Sequence, residues 1–469
     1  MSTDTDKPKV GLLGLTLEFY EDAGPETRLG REKFVRDRIL PALAAAADVR
    51  FDGAVCARRD IERTVAAYEA GGADVLLVVL LTYSTSLSSL PALQRTRLPI
   101  VVWNTQELYR VDESYGDAEL MANHGVHGTF DLCNVLLRSG VKFDYVTSHL
   151  KDEGAAAGLL EHIRAAATVS RLRRYRIGCL GYPFPGMGDF GLDTTHLAAT
   201  LGCAWEALSV VDFNKRAARA DTERVKALTD EYRELYDVAP DATAEDLAAA
   251  ARAEVALRGM IDENRLDAYT YQFLAFGDDD RTETIPFVAA GRLLAEGVGF
   301  GGEGDLIAAA WSALLNWLHP PASFSEIFTI DFDGNSVLLS HMGEANAAMA
   351  RRGRKVRLVR RRRSLVPIRG SQLALAVNYA AGPATLSALT LTAGGRWRII
   401  ASAADIPDFG PLKQLAVPHA KLRPRRDVRE FLTAYASAGG PHHLAVCFGD
   451  ARDKLRIAAG LLDAEYVEI

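Results

Sequence analysis

Cysteine is scarce and unclustered in this sequence. The five residues, Cys56, Cys133, Cys179, Cys203 and Cys447, are odd in number and form no CxxC pair. That excludes a Cys-rich tetrahedral zinc site and a disulfide scaffold, and predicts a reducing compartment. Long apolar runs are also missing. The longest near the start, residues 75–81, falls far short of the ~20 residues that cross a bilayer. The opening MSTDTDKPK lacks the apolar core of a secretory signal. These absences predict a cytoplasmic protein without a membrane partner. Gly11 and Gly14 do not make GxGxxG, and there is no Walker loop. Neither a nicotinamide nor ATP is therefore implied. A GxSxG elbow is absent as well, which removes the usual serine-hydrolase signature. Basic residues are the minority: 54 Lys and Arg against 61 Asp and Glu leave a net charge of −7. That balance disfavours a polyanionic partner.

What is present suits a multidomain globular chain. Its 469 residues suggest three domains at ~150 residues each, long enough to bury several cores. Residues 10–15 (VGLLGL), 75–81 and 100–103 are continuous apolar runs, as expected of strands buried on both faces of a parallel sheet. Helical spacing covers residues 31–47 and 60–70 between them. The basic stretch 171–176 marks a boundary, after which strands are expected at 177–180, 208–211 and 268–273, with helices at 222–236 and 244–262. Beyond residue 319 the texture changes. Short strand-like segments at 328–332, 337–339, 356–359, 373–377, 388–392 and 397–400 are separated by Gly, Asp and Asn turns. The expected architecture is α/β: two doubly wound open-sheet α/β domains (1–172 and 173–320), then a C-terminal antiparallel β-barrel domain (321–469).

Two acids and three histidines near element ends could carry chemistry. Glu303 sits in the glycine-rich run GFGGEGD, where Asp305 is placed to cap an apolar helix over 306–318. Glu326 lies among small and apolar residues in ASFSEIF, just after Pro320-Pro321. His341 follows the apolar run 337–339, and His442-His443 follow a glycine turn. Alone, each reads as an ordinary turn acid or core histidine. On a strand, adjacent histidines point to opposite faces, so one of the pair at most is expected in a given site. Taken together, two carboxylates and two imidazoles make a borderline-hard donor set suited to Mn²⁺, Co²⁺ or Mg²⁺.

At these residues the chain resembles the L-arabinose isomerase family, collinearly over most of its length. Glu303 in GFGGEGD is similar to the family's first metal-binding glutamate, and Glu326 in SFSE to the second. His341 in SHM is similar to the first ligand histidine, and His443 to the last. The segments GRWRIIAS, PLKQLAVPHA and AGGPHH resemble the family's barrel strands in order. NHGVHG (123–128) resembles NQTAHGG, which makes His127 a substrate-binding candidate; Phe273 in AYTYQF resembles an aromatic pocket wall, and Met187 a pocket methionine. There are departures. Leu17 stands where the family has a glutamine and Phe19 at its following leucine; His124 replaces another glutamine; HHT becomes HHL. The resemblance implies a sugar substrate, a divalent metal (Mn²⁺ first) on Glu303, Glu326, His341 and His443, and proton transfer between C1 and C2 by Glu303 and Glu326. It also implies trimers pairing into hexamers, with His124 and His127 reaching a neighbour's metal site. The altered residues leave two alternatives: another pentose, hexose or deoxy sugar, or a protein that senses a sugar without turning it over. Residues 351–363 (RRGRKVRLVRRRR) are basic enough to raise nucleic-acid binding. They alternate like a barrel strand with a charged outer face, and no nucleic-acid-binding motif accompanies them.

Overall fold

A computed structural model of the chain describes residues 7–361 and 366–469. The chain divides into two compact units, one running up to Arg171 and including Arg456–Asp463, the other comprising Leu172–Leu455 and Ala464–Ile469.

The first unit is built on a parallel sheet. Its strands are β1 (Lys9–Leu15), β2 (Asp48–Arg50), β3 (Ala54–Val55), β4 (Val75–Leu80), β5 (Ile100–Asn104) and β6 (Phe143–Thr147), in the order β2-β1-β4-β5-β6 with β3 also on β1. β4 reads VLLVVL with every residue buried, as a strand covered on both faces requires. The order reverses between β1 and β4, so the loops after these two strands flank a crevice at the carboxyl edge. The helix expected over 31–47 starts earlier, at Glu26, and passes through a π-type turn at Val35–Ile39 before ending at Leu43.

The second unit begins with another parallel sheet. Its strands are β7 (Arg176–Leu180), β8 (Ala204–Leu208), β10 (Ala268–Tyr271) and β11 (Gly299–Gly301), ordered β11-β10-β7-β8. The strand expected at 208–211 is instead β8 followed by a helix, Val210–Ala218. Ser209 ends the strand, because its side chain accepts the Asp212 N–H as an N-cap. Val210, Phe213 and Asn214 then bury one helical face. The apolar helix Leu306–Leu318 forms as expected, capped by Asp305.

Six strands then close a barrel. They are β12 (Ala322–Asp331), β13 (Ser336–Ser340), β16 (Gly382–Leu391), β17 (Trp397–Ile406), β18 (His419–Pro424) and β19 (His443–Phe448). The path β16-β19-β12-β13-β18-β17 returns to β16 through a ten-residue register from Gly382↔Ile406 to Leu391↔Trp397. All its pairings are antiparallel, and β20 (Glu465–Glu468) adds in parallel to the outside of β17. Two segments expected in the barrel lie elsewhere. β14 (Arg357–Arg360) and β15 (Leu373–Ala376) form a separate three-stranded sheet with β9 (Asp237–Val238). The basic stretch 351–363 is therefore no barrel strand. Within it Leu358 and Val359 are both buried, so the strand is covered on two faces and does not alternate. Arg362 and Arg363 lie outside the described residues.

Candidate active site

The site of the second unit forms where loops at the carboxyl edge of the parallel sheet meet the barrel. The barrel's register does much of the assembly. Glu326 on β12 pairs with His443 on β19 on one side and with Ser340 on β13 on the other. Directly opposed residues have Cβ atoms ~5 Å apart. β13 ends at Ser340, and His341 is the first residue beyond it. Glu326 Oε1 consequently lies 3.0 Å from His443 Nε2 and 3.4 Å from His341 Nε2. A β-bulge follows immediately, between Ile327 and Thr329.

Glu303 arrives from the sheet. It follows β11 with φ 60°, a left-handed conformation uncommon for a residue with a side chain, and Gly304 follows with φ 88°. Two bonds hold this turn: the Phe184 N–H donates to the Glu303 carbonyl (2.8 Å), and the Gly304 N–H donates to Thr270 Oγ1 (2.9 Å). Glu303 Oε2 is thereby brought 3.8 Å from His443 Nε2 and 3.7 Å from His442 Nε2. Of the four residues singled out by sequence, Glu326 lies beside both His341 and His443, and Glu303 reaches His443; His341 stands outside the tightest donor cluster, which takes His442 instead.

Each histidine is held by a carboxylate at its other nitrogen. His341 Nδ1 is 2.6 Å from Glu344 Oε2, and His443 Nδ1 is 2.8 Å from Asp305 Oδ2. Both carboxylates are buried, and Tyr271 donates a short hydrogen bond to Glu344. An ionised carboxylate only accepts. In the neutral ring the proton therefore sits on Nδ1, and Nε2, which faces the site, is the nitrogen left to bind a cation. Asp305 serves twice, since its other oxygen accepts the Ala308 N–H at the start of the helix.

His442 joins the group, against the expectation from strand alternation. β19 starts at His443, so His442 is still in the preceding turn and the two rings lie side by side, 4.0 Å between centroids. Its Nε2 is 4.0 Å from Glu326 Oε1. Ligand atoms of Glu303, Glu326, His442 and His443 lie within 4.8 Å of one another.

The electrostatics are those of a site with surplus negative charge. Burial opposes protonation of His341, but the carboxylates of Glu344 and Glu326 outweigh it and lift its pKa to about 10. His442 is raised to about 9 against its own burial, by Glu303 and Asp189. His443 is raised by Asp305 and Glu326, again against burial. Glu326 is buried, which favours its neutral form, yet the imidazoles of His341 and His443 hold it well below the usual carboxylate range. Several carboxylates thus draw positive charge into one small volume.

The residues fit a divalent cation. Glu303 Oε2 is buried without a hydrogen-bond partner, so it has an unused lone pair, and His443 Nε2 has only the Glu326 carboxylate beside it, at 3.0 Å. A Cβ placed on Gly302 would lie 3.0 Å from His443 Nε2 and 3.1 Å from His341 Nε2. The glycine leaves room where those nitrogens converge. A mixed carboxylate–imidazole set suits Mn²⁺, Co²⁺ or Mg²⁺ better than a thiophilic ion.

Met187 lies on the loop after β7 and Phe273 opens the short helix after β10. Both strands are parallel to β11, so these residues share the carboxyl edge with Glu303. Phe273 rests against Phe184, 5.8 Å between ring centroids. The remaining sequence candidates form their own group in the first unit. Leu17 and Phe19 follow β1, with Phe19 72% exposed. His124 immediately precedes the helix Gly125–Arg138 and shares a 2.7 Å hydrogen bond with the Tyr20 hydroxyl. His127 stacks on Tyr83 at 4.8 Å. These residues gather at the crevice between β1 and β4.

Sequence reasoning passed over Glu344, Asp189, Tyr271 and Asp305's role at His443. Glu344 had a local signal, three residues after His341. Asp189 had none, because only the tertiary fold brings it to His442.

Residues 175–319 match the L-arabinose isomerase central domain family, and residues 321–465 match the L-arabinose isomerase C-terminal domain family. An L-arabinose isomerase of Acidothermus cellulolyticus is 29% identical over 419 residues, covering 86% of this chain and 82% of that one. Another, from Geobacillus thermodenitrificans, is 26% identical over 401 residues, covering 83% and 79%. A third, from a Nocardioides species, is 27% identical over 402 residues, covering 82% and 78%.

Proposed function

The chain belongs to the L-arabinose isomerase family and is an isomerase, and from that premise we propose that it interconverts an open-chain aldose and its ketose with the help of a divalent cation. The observation that carries this reading is the gathering of Glu303, His341 and His443 around Glu326, with a buried, unpartnered oxygen on Glu303. These four residues would hold the ion, Mn²⁺ first. When bound, such an ion supplies Lewis-acid polarisation of the sugar carbonyl.

The chain's own residues account for the proton movements. One of the two glutamates, Glu303 or Glu326, takes the C2 proton of the aldose as general base. The other carries the hydroxyl proton from O2 to O1, and the C2 proton returns at C1. Two carboxylates this close couple their titrations, so they hold different protonation states during a cycle. Glu344 and Asp305 keep the imidazoles in one tautomer throughout.

Met187, Phe273, Leu17 and Phe19 are proposed as substrate contacts, and His124 and His127 as residues that reach the site of a neighbouring subunit in a trimer or hexamer. Leu17 offers no polar atom where the family has a glutamine, which favours an aldose with a different hydroxyl pattern from L-arabinose. The three-domain division 1–172, 173–320 and 321–469 belongs to the proposal, supported by the two domain matches. So does a cytoplasmic location, supported by the scattered cysteines; no helix among the described residues is long and apolar enough to cross a membrane.

The test is a panel of pentoses, hexoses and deoxy aldoses with ketose detection, run after EDTA and again after Mn²⁺ is restored. Turnover on at least one aldose that EDTA abolishes and Mn²⁺ rescues is expected. Sugar binding without product under saturating Mn²⁺ would favour a sensor, and full activity in metal-free protein would remove the ion from the reaction. Sedimentation of the active species reads the assembly, and a fully active monomer would refute shared sites.

A further inference from the structure

The loop after β7 touches the site at three points. Its Phe184 N–H holds the Glu303 carbonyl, and its Phe190 ring stacks on His443 at 5.4 Å and 10°. Between them lies Asp189. One of its oxygens, Oδ2, accepts the His442 backbone N–H at 2.9 Å and stands 2.6 Å from His442 Nδ1. Residues 189 and 442 are 253 positions apart, so local sequence does not produce the pairing. It repeats the arrangement at the two buried histidines, where Glu344 and Asp305 take Nδ1.

His442 differs from those two in exposure. Its side chain is 37% exposed, against 5% for His341 and 1% for His443. Its Nε2 lies over the carboxylate pair, 3.7 Å from Glu303 and 4.0 Å from Glu326. Glu326 Oε1 is nearer to both buried imidazoles, at 3.0 and 3.4 Å. His442 is therefore the solvent-accessible histidine of the group, although its Nε2 also lies within the donor cluster of Glu303, Glu326 and His443. An exposed turn histidine has several rotamers. A double anchor on one carboxylate oxygen selects one ring orientation and one tautomer.

Resting on the isomerase reading of this site, we propose that Asp189 is a positioning residue: it fixes His442 so that Nε2 faces the hydroxyls of a sugar held over Glu303 and Glu326. His442 then orients substrate, and the hold on the ion is left to Glu303, Glu326, His341 and His443. Asp189 touches neither ion nor sugar and acts through His442.

The test uses the full-length protein with Asp189→Ala, Asp189→Glu, His442→Ala and the double variant. On the best aldose of the panel, Asp189→Ala is expected to lower kcat about 10- to 100-fold, the usual cost of losing an outer partner, with KM within about threefold. Calorimetric Mn²⁺ affinity should stay within about threefold of wild type. Asp189→Glu should recover most of kcat, since Gly188 and Gly191 flank the loop. The double variant should be no slower than His442→Ala, because both changes remove one device. A crystal structure of Asp189→Ala should show the His442 ring turned away from Glu303. Additive losses, or Mn²⁺ affinity falling in step with kcat, would overturn the assignment. Wild-type protein that converts no aldose would sink the isomerase reading instead. The crystal structure still decides the pairing in that case: a displaced ring supports it and an unmoved ring overturns it.

Discussion

Gly302→Ala tests the ion site with the smallest possible change. The added methyl would lie 3.0 Å from His443 Nε2, 3.1 Å from His341 Nε2 and 3.1 Å from Phe324 Cζ. Ordinary van der Waals contact begins at 3.4 Å and extends to 4 Å, so each neighbour must retreat by several tenths of an ångström. Neither imidazole retreats freely, since Glu344 and Asp305 hold their far nitrogens. Metal–ligand distances tolerate only about ±0.2 Å. The methyl therefore fills the ion's place and pushes two of its ligands out of range. Mn²⁺ affinity should fall by at least the 10- to 100-fold that loss of an outer partner costs, or about 1.4 kcal/mol per factor of ten. Turnover at fixed Mn²⁺ should fall with it. The fold should survive, because overpacking costs about 1–3 kcal/mol and Gly302, unlike Gly304, is not in the left-handed region. Calorimetric titration with Mn²⁺ and far-ultraviolet circular dichroism read the two effects separately. Wild-type Mn²⁺ affinity in a folded Gly302→Ala protein would refute the placement of the ion between these imidazoles.

Other substitutions probe the neighbouring links. Glu303→Gln and Glu326→Gln should each keep the circular dichroism spectrum and lower turnover by orders of magnitude, since a charged ligand and a proton acceptor vanish together; near-normal activity would remove that glutamate from the mechanism. Asp305→Ala should cost about 1 kcal/mol for the lost helix cap and about 1–3 kcal/mol more for the buried His443 donor left unpaired, read as a lower urea midpoint; an unchanged midpoint would contradict the double role. Glu254, fully buried, accepts from Tyr232, Arg258 and Arg292. Glu254→Ala should destabilise by about 3–5 kcal/mol, because two guanidinium groups lose their buried counter-charge, while Mn²⁺ affinity of the remaining folded protein stays as in wild type.

The parts that sequence made legible are those with local causes. Continuous apolar runs marked β1, β4 and β5 because a strand covered on both faces has no polar side to show. Asp305 was legible as a cap because a cap needs only the next turn of helix. Two strand assignments failed for the complementary reason. At 208–211 the apolar residues Leu208, Val210 and Val211 suit either state, and the Ser209 cap decides for helix after β8. At 356–359 the apolar spacing is strand-like, and partners from distant segments, β9 and β15, place it outside the barrel. His442 was set aside by an alternation rule that holds only inside a strand, and β19 begins one residue later.

The sequence by itself determined the donor types and their local setting: a glutamate in a glycine turn, a second among small and apolar residues, histidines beside apolar runs, and helices and strands whose periodicity is written in neighbouring residues. Only the tertiary structure decided how these groups meet. The β12 register places Glu326 between two histidines, the left-handed turn at Glu303 aims its carboxylate at them, and Glu344, Asp305 and Asp189 choose which nitrogen each ring presents. The physical reason is one of range. Periodicity and capping act over a few residues, whereas an imidazole's orientation depends on a carboxylate that can lie 253 positions away.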